Sequence, residues 1–410
     1  MRKLVKLSKV ANYSDKRVKI ENVSLENFIT TDNLLQNKEG ITLASNLPPQ
    51  SGTIPAFKIE NILIGNIRPY LKKIWFADRD GGCSADVLTL SVNKEYYPKY
   101  IYYTLFRDDF FDHMMRGSKG TKMPRGDKNQ ILDFLIPDFE LSTQQKIANV
   151  LSALDAKIEL NNRINAELEA MAKTLYDYWF VQFDFPDVEG KPYKTSGGAM
   201  VWNEELKREI PEGWEVGELK SMCNANQYQL NSSSNFSYVN YLDTSNITKN
   251  QIDNVILIDD LKNNLPSRAK RIVKKNDIIY STVRPNQEHY GIIKEPVENM
   301  IVSTGFAVIS HKKNTVLNDF IYCFLSNRIT VDFLQTIADT SVSSYPSINV
   351  DDILNLKIAL PKEDTLLIAI STQLSNFYQL IHKKQKENQQ LSSLRDWLLP
   401  MLMNGQVVVE

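Results

Sequence analysis

The sequence predicts an α+β protein: two similar globular segments joined by two long antiparallel helices that form a coiled coil with pseudo-two-fold symmetry. Three observations predict it. The chain is written twice, the end of each copy carries a polar-apolar seam of helical spacing, and the remainder mixes short β-branched runs with a few helical stretches. Strands and helices without regular alternation read as α+β and not as a parallel α/β sheet.

The repeat is visible residue by residue. Tyr241-Leu242-Asp243-Thr244-Ser245-Asn246-Ile247 echoes Phe28-Ile29-Thr30-Thr31-Asp32-Asn33-Leu34 at a displacement of 213 positions. Residues 274–285 (KKNDIIYSTVRP) match 58–69 (KIENILIGNIRP) at 216, sharing the pairs Arg68-Pro69 and Arg284-Pro285. Phe320-Ile321-Tyr322 lies over Tyr100-Ile101-Tyr102 at 220, and Ile353-Leu354 over Ile131-Leu132 at 222. Isolated dipeptide matches are common by chance, but four in one order with a slowly rising displacement indicate duplication with loop insertions.

The elements follow in order. Residues 1–140 form the first mixed segment, with a strand at 62–64 and a helical stretch at 99–115. Residues 141–183 form the first long helix, which starts after Pro137 with Ser142 and Thr143 as candidate N-caps. Its seam runs through Ile147, Leu151, Leu154, Ile158, Asn161, Asn165, Leu168, Ala172, Leu175 and Trp179 on alternating four- and three-residue steps, the coiled-coil spacing. At 1.5 Å per residue such a helix is roughly 55 to 60 Å long and needs a partner. Residues 184–210 are a turn-rich linker, anchored by Tyr193 and Trp202, with Trp214 just beyond. Residues 211–361 form the second mixed segment, with strands near 255–258, 278–280 and 301–302 and a helical stretch at 319–337. Residues 362–410 hold the second long helix, whose seam is Ile370, Leu374, Phe377, Ile381, Lys384, Asn388, Leu391, Arg395 and Leu398. At a displacement of 223 its polar positions Lys384 and Asn388 fall on Asn161 and Asn165. An antiparallel pair would set polar middle against polar middle, which fixes register more than it adds stability. Two ordinary helices, each capping its own domain, would show the same periodicity.

Composition bounds the function. With 410 residues there is room for about two or three domains, each with its own core. No apolar run reaches the roughly 18 residues of a membrane span, and MRKLVKLSKVANYSDKR lacks the apolar block of a signal peptide, so a cytoplasmic, non-membrane protein is expected. Cys83, Cys223 and Cys323 are odd in number and widely spread, which suits a reducing compartment and gives no metal-ligand spacing. The net charge of −1 argues against a simple electrostatic nucleic-acid binder. Charge is nevertheless segregated: residues 1–140 hold 21 Lys+Arg against 17 Asp+Glu, and residues 141–190 hold 4 against 8.

Catalytic patterns are missing. Gly81-Gly82 and Gly197-Gly198 lack phosphate-loop spacing, and His113, His289, His311 and His382 are scattered. Asn46-Leu47-Pro48-Pro49-Gln50 is not the Asn/Asp-Pro-Pro-aromatic signature of an amino-methyltransferase. Asp187-Val188-Glu189-Gly190-Lys191 resembles a nuclease acidic motif only superficially, because two carboxylates in a linker make no metal site. No catalytic or metal-binding residue is therefore assigned. What remains is polar loops. Arg116-Gly117-Ser118-Lys119-Gly120-Thr121-Lys122-Met123-Pro124-Arg125-Gly126 offers cations and hydroxyls suited to phosphates and base edges, and its counterpart at 339–347 is hydroxyl-rich. Both would also serve as solvated surface loops. Arg68 and Arg284 were kept by the duplication, and either could equally pair with a buried carboxylate.

Residues 136–180 (IPDFELSTQQKIANVLSALDAKIELNNRINAELEAMAKTLYDYWF) resemble the central helix of specificity subunits of type I restriction-modification systems. The following FDFPDVEGKPYKTSGGAMVWNEELKREIPEGWE and the terminal LSSLRDWLLPMLMNGQV are similar to that family too, and the resemblance covers the whole chain. It implies a non-catalytic DNA reader, with residues 1–140 and 211–361 as target recognition domains that each contact one half of a bipartite, asymmetric site in double-stranded DNA. The helix pair would act as a ruler for the spacer and, with the recognition domains, would dock two modification subunits. S-adenosylmethionine, ATP and Mg²⁺ would then be bound by those and by the restriction subunits, with none on this chain. Partners can share phosphate contacts, which makes the near-neutral charge acceptable. The implied DNA-contacting positions are Thr31, Asn33, Arg68, Lys119, Lys122 and Arg125 for one half-site, and Thr244, Asn246, Arg284, Ser343, Ser344 and Tyr345 for the other. A coiled-coil scaffold with two protein-binding heads and no DNA role is the alternative from the residues alone.

Overall fold

The computed structural model describes residues 3–48, 52–231, 236–341 and 345–409. The chain divides into two compact units, residues 1–159 with 388–410 and residues 160–387. Among the described residues no helix is long and apolar enough to cross a membrane.

Unit 1 is built on two four-stranded sheets. The first has the order Ala11–Tyr13, Val87–Val92, Ile62–Gly65, Ile74–Phe76, all antiparallel. Its central strand Ile62–Gly65 is buried at every position, which explains an unbroken apolar run where a one-faced strand would alternate. The second has the order Arg17–Lys19, Thr53–Phe57, Gly81–Cys83, Phe28–Ile29, closing on a parallel pair. A short helix α1 (Leu7–Val10) precedes the first sheet. The helical stretch predicted at 99–115 is two helices, α2 (Pro98–Leu105) and α3 (Asp108–Arg116). Arg107 between them has extended backbone, and Asp108 and Asp109 then open a new first turn, where acidic side chains favour a helix N-terminus. Helix α4 (Lys128–Leu132) is capped by Asp127, whose carboxylate accepts from Asn129 N at 3.0 Å and Gln130 N at 3.2 Å.

The first long helix, α5 (Leu141–Tyr176), starts before its predicted caps, so Ser142 and Thr143 lie inside it. The anchor is Gln144, which is buried, donates to Phe139 O at 2.7 Å and accepts from Tyr97 N at 2.9 Å. In unit 1, Ile147, Ala148 and Leu151 of α5 share a core with Leu399, Leu402 and Met403. Asp155 accepts from Arg395 Nη1 at 2.9 Å and from Tyr103 Oη at 2.6 Å, while the Arg395 guanidinium lies 4.8 Å over the Phe106 ring.

Unit 2 repeats the plan. Its first sheet runs Cys223–Ala225, Phe306–His311, Asp277–Ser281, Tyr290–Ile293, and its second Ile256–Ile258, Val239–Leu242, Met300–Ser303, Ala269–Ile272, again with one parallel pair. Strand Ile256–Ile258 adds an edge with no counterpart among the described residues of unit 1, and the counterpart of Arg17–Lys19 shrinks to a bridge between Gln229 and Arg271. Helix α6 (Leu219–Met222) mirrors α1. The stretch predicted at 319–337 is likewise split, into α7 (Asn318–Ser326) and α8 (Arg328–Asp339). Asn327 makes the break: its side chain accepts from Ile329 N at 3.1 Å and donates to Asp177 at 2.8 Å. Helix α9 (Val350–Leu354) carries a capping box of Asn349 and Asp352. The linker is folded into this unit through the hairpin Met200–Asn203/Arg208–Pro211 and a stack in which the Phe185 ring lies 4.7 Å from Tyr193 and 5.2 Å from Trp214.

The second long helix, α10 (Thr365–Asn404), meets the later part of α5 in unit 2, where Asn161 Nδ2 donates to Glu387 at 3.1 Å and Leu168 and Leu175 pack on the core that holds Leu374 and Ile381. In each unit an early stretch of one helix meets a late stretch of the other, so the pair is antiparallel. Leu151, Leu374 and Ile381 are buried, whereas Leu154, Ile158, Leu168, Leu175, Phe377, Leu391 and Leu398 are only half-buried. Beside three of these half-buried positions the buried residue is the next one along: Tyr176 beside Leu175, Tyr378 beside Phe377, Leu399 beside Leu398. One residue is about 100° of rotation at 3.6 residues per turn, so there the helices turn their broadest apolar face to the domain core.

Candidate nucleic-acid interface

Each unit builds the same corner at the end of its central strand. In unit 1 Arg68 is left-handed (φ 52°, ψ 64°), Pro69–Leu71 make one 3₁₀ turn, and Lys72 is left-handed again (φ 51°). In unit 2 Arg284 (φ 49°, ψ 70°), Pro285–Gln287 and Glu288 (φ 58°) repeat it. A non-glycine residue held left-handed costs about 1–3 kcal/mol and persists only when its surroundings over-determine it. Here they do. Proline supplies a preset φ at the first turn position, and the backbone is pinned from outside.

The pin in each unit is the polar loop singled out above. Arg68 N donates to Pro124 O at 2.7 Å and Arg284 N to Pro346 O at 2.9 Å, with bridges between Ile67 and Arg125 and between Val283 and Ser347. Loop and turn are therefore one surface in both units. In unit 1 the loop is a small hairpin in which Lys119 and Arg125 exchange both backbone hydrogen bonds at 3.0 Å. Lys119 pairs with Asp127 at 3.2 Å, Arg125 with Asp86 at 3.1 Å, and Lys122 is exposed. Backbone hydrogen bonds from Gln130 and Asn129 and the Lys119 ammonium hold the Asp127 carboxyl below its usual range, so it remains an anion there. Arg68 Nε is buried without a hydrogen-bond partner among the described residues, so this arginine pairs with no carboxylate through that atom. In unit 2 the Arg284 guanidinium lies 5.3 Å over the ring of Tyr345, which is 60% exposed. Ser343 and Ser344 lie outside the described residues.

The remaining predicted positions follow the second sheet. Thr31 is half-buried, and its carbonyl accepts from Lys73, which leaves the Arg-Pro turn. Asn33 is buried with its amide fully engaged: Oδ1 accepts from Thr30 N and Nδ2 donates to Phe28 O at 2.9 Å and Thr42 O at 3.0 Å. It shapes the turn that presents Thr31. Thr244 and Asn246 occupy a 3₁₀ turn capped by Asp243, beside a cleft of about 650 Å³ that Asp243, Asp259 and Arg268 line. Thr244 is tied to the Arg-Pro corner because Gly305, against which its methyl packs, accepts from Thr282 N at 2.8 Å.

Two features escaped the sequence. Tyr70, 49% exposed on the 3₁₀ turn, adds an aromatic face next to Arg68; its position after Arg-Pro was the available signal. Lys38 and Lys72 converge on Asp108, at 2.9 and 3.0 Å, although residues 38 and 108 are far apart in the chain and no spacing links them. Burial raises the Asp108 carboxyl pKa, but the two ammonium groups outweigh it and hold the group below the usual carboxylate range.

Chemically this surface offers cations, hydroxyls and aromatic faces on a pinned backbone, the groups that contact phosphates and base edges. Among the described residues no cluster of three or more His, Cys, Asp or Glu is arranged to hold a metal ion. Residues 6–170 and 211–392 match the family model described as type I restriction modification DNA specificity domain. The chain belongs to that family. This specificity subunit carries two target recognition domains of a type I restriction-modification system. It is similar to the type I restriction enzyme MjaIX specificity subunit of Methanocaldococcus jannaschii, 27% identical over 328 residues that cover 76% of this chain and 69% of that protein. It is 32% identical over 120 residues to the HindI specificity subunit of Haemophilus influenzae, covering 29% of this chain and 26% of that protein. Among solved structures, the S subunit of a type I system from M. genitalium shares the fold at a TM-score of 0.60 and 15% identity, covering 98% of this subunit and 96% of that chain.

Proposed function

We propose that each target recognition domain of this specificity subunit contacts one half of a bipartite, asymmetric site in double-stranded DNA, through the surface made by its Arg-Pro turn and docked loop. Arg68, Lys119, Lys122 and Arg125, with Thr31 on a turn held by Asn33, serve one half-site. Arg284 and Tyr345, with Thr244, Asn246, Ser343 and Ser344, serve the other. The observation that carries this is a corner with the same backbone conformation in both units, against which two chemically different loops are pinned. A shared scaffold with divergent loops suits one binding mode applied to two sequences.

The subunit contributes recognition and no active site of its own, and it works in the cytoplasm with two modification subunits and with restriction subunits. Those partners carry S-adenosylmethionine, ATP and Mg²⁺. Phosphate contacts are shared across the complex, which reconciles DNA binding with a net charge of −1.

The test exchanges residues 1–140 for the corresponding segment of another specificity subunit and maps methylated bases in a host that expresses the modification complex. One half of the recognised sequence should change and the other stay. A change in both halves, or in neither, overturns the proposal.

A further inference from the structure

The end of each Arg-Pro turn is held by a second left-handed residue brought from elsewhere in the unit. Lys38 (φ 67°) donates its N–H to Lys72 O at 2.9 Å, and Lys249 (φ 45°) donates its N–H to Glu288 O at 2.9 Å. Four non-glycine residues thus sit in a region that disfavours them, in two matched pairs, each pair joined by the same backbone hydrogen bond.

The side chains close the two clasps differently. In unit 1 both lysine ammonium groups reach one oxygen of Asp108, the first residue of α3. In unit 2 the equivalent helix position is Arg328, at the displacement of 220 that relates Tyr100 to Phe320, and it turns to Asp332 on its own helix. The carboxylate sits instead on the turn, as Glu288, and pairs directly with Lys249 at 2.8 Å. The lysine from the distant turn is kept, the backbone bond is kept, and the charge partner has moved from helix to turn. What both units preserve is the pinning.

The lysines are also poorly placed to serve as free phosphate ligands in unit 1. The Lys38 side chain is 15% exposed and its ammonium lies 4.8 Å over the Phe106 ring. We propose that Lys38, Lys72 and Asp108 in unit 1, and Lys249 and Glu288 in unit 2, are positioning residues whose clasp holds the far end of the Arg-Pro turn and thereby aims Arg68 and Arg284 at DNA. This rests on the reading that the Arg-Pro corner faces DNA. The loop pins the start of the turn through Arg68 N, and the clasp pins its end four residues later, beside the strand bond from Gly65 N to Lys73 O at 3.0 Å and its equivalent from Ser281 N to His289 O at 2.9 Å; without the clasp the last residue of the turn loses its tie to the distant loop and the guanidinium loses part of its direction. Sub-ångström to ångström misplacement is enough to abolish a bidentate base contact.

The test uses the full chain with its modification subunits and a library of random-sequence duplex DNA, with sequencing of the bound fraction. Lys72→Glu should lower base preference in one half-site about tenfold, the scale of one base contact, and leave the other half sharp. The pair Lys72→Glu with Asp108→Arg rebuilds in unit 1 the arrangement of unit 2, with Lys38 closing directly on residue 72, and should restore the preference. Circular dichroism and thermal unfolding of each variant show that the fold is kept, and Glu288→Lys should blur the opposite half-site. If Arg68→Ala blurs its half-site but Lys72→Glu does not, or if the double variant stays as blurred as the single one, the clasp is overturned while the DNA face stands. If Arg68→Ala leaves both halves sharp, the DNA face itself falls, and the clasp inference with it.

Discussion

Replacing Lys294 by methionine should destabilise unit 2 by about 3–5 kcal/mol, the scale of leaving a buried charge without its partner. Lys294 and Asp319 form an ion pair with side chains 3% and 0% exposed, tying strand Tyr290–Ile293 to the first turn of α7. The ammonium also reaches Asn276 Oδ1 at 3.3 Å and Ser375 Oγ at 3.5 Å. Burial lowers the lysine pKa and raises that of the aspartate, with each partner pulling the other back towards its charged form. In Lys294→Met that restraint on Asp319 is gone. Because its folded-state pKa lies above the unfolded value, the carboxyl favours the fold while protonated and loses that contribution as pH rises through the folded pKa, so the deficit should shrink in acid. Adding Asp319→Leu removes the second charge and should recover most of the loss, since a buried pair exchanged for apolar groups is often neutral. Unit 1 places no such pair at the equivalent position among the described residues, because the counterpart of Asp319 is Lys99, whose ammonium lies 5.7 Å over the Phe76 ring. Urea unfolding followed by hydrogen exchange would read the two units separately. A single variant costing less than about 1 kcal/mol, or a double variant no better than the single, would refute the argument.

Two further outcomes follow from burial and space. The Glu169 carboxyl on α5 is pushed up to about 7 by burial, with Lys249 pulling it back, so its contribution to stability is full below the unfolded value near 4.5 and is lost as pH rises through about 7. Glu169→Gln should flatten the stability profile across that window, and an unchanged slope in pH-dependent denaturation would show that the carboxyl is ordinary. At Gly81 an added Cβ would stand 2.1 Å from the Asn27 carbonyl oxygen, a backbone atom that cannot step aside. Gly81→Ala should therefore cost about 3 kcal/mol or more and open the parallel pair Phe28–Ile29/Gly81–Cys83; faster amide exchange at Ile29 and Ser84 reports it.

Much of this architecture was legible in the residues because it rests on local rules. The duplicated Arg-Pro pairs do mark matching turns, because proline presets φ at the first position of a turn; the left-handed backbone of the arginines comes from the loop that pins them. The helix seams were legible through periodicity, and the polar Asn161 does meet an acidic residue, Glu387, of the other helix. Element ends were less legible: α5 is anchored by Gln144 reaching Tyr97, a contact 47 residues away, and not by the local cap candidates Ser142 and Thr143.

The sequence by itself determined the two-copy plan, the long helices and the polar character of two loops, because duplication, periodicity and composition are properties of neighbouring residues. Only the tertiary structure decided that those loops lie on the Arg-Pro corners, that Asn33 is an internal strut and not an exposed donor, and that Lys38 meets Lys72 and Asp108. These are pairings across tens of residues, set by which surfaces the core brings together and by which buried polar atoms then need partners.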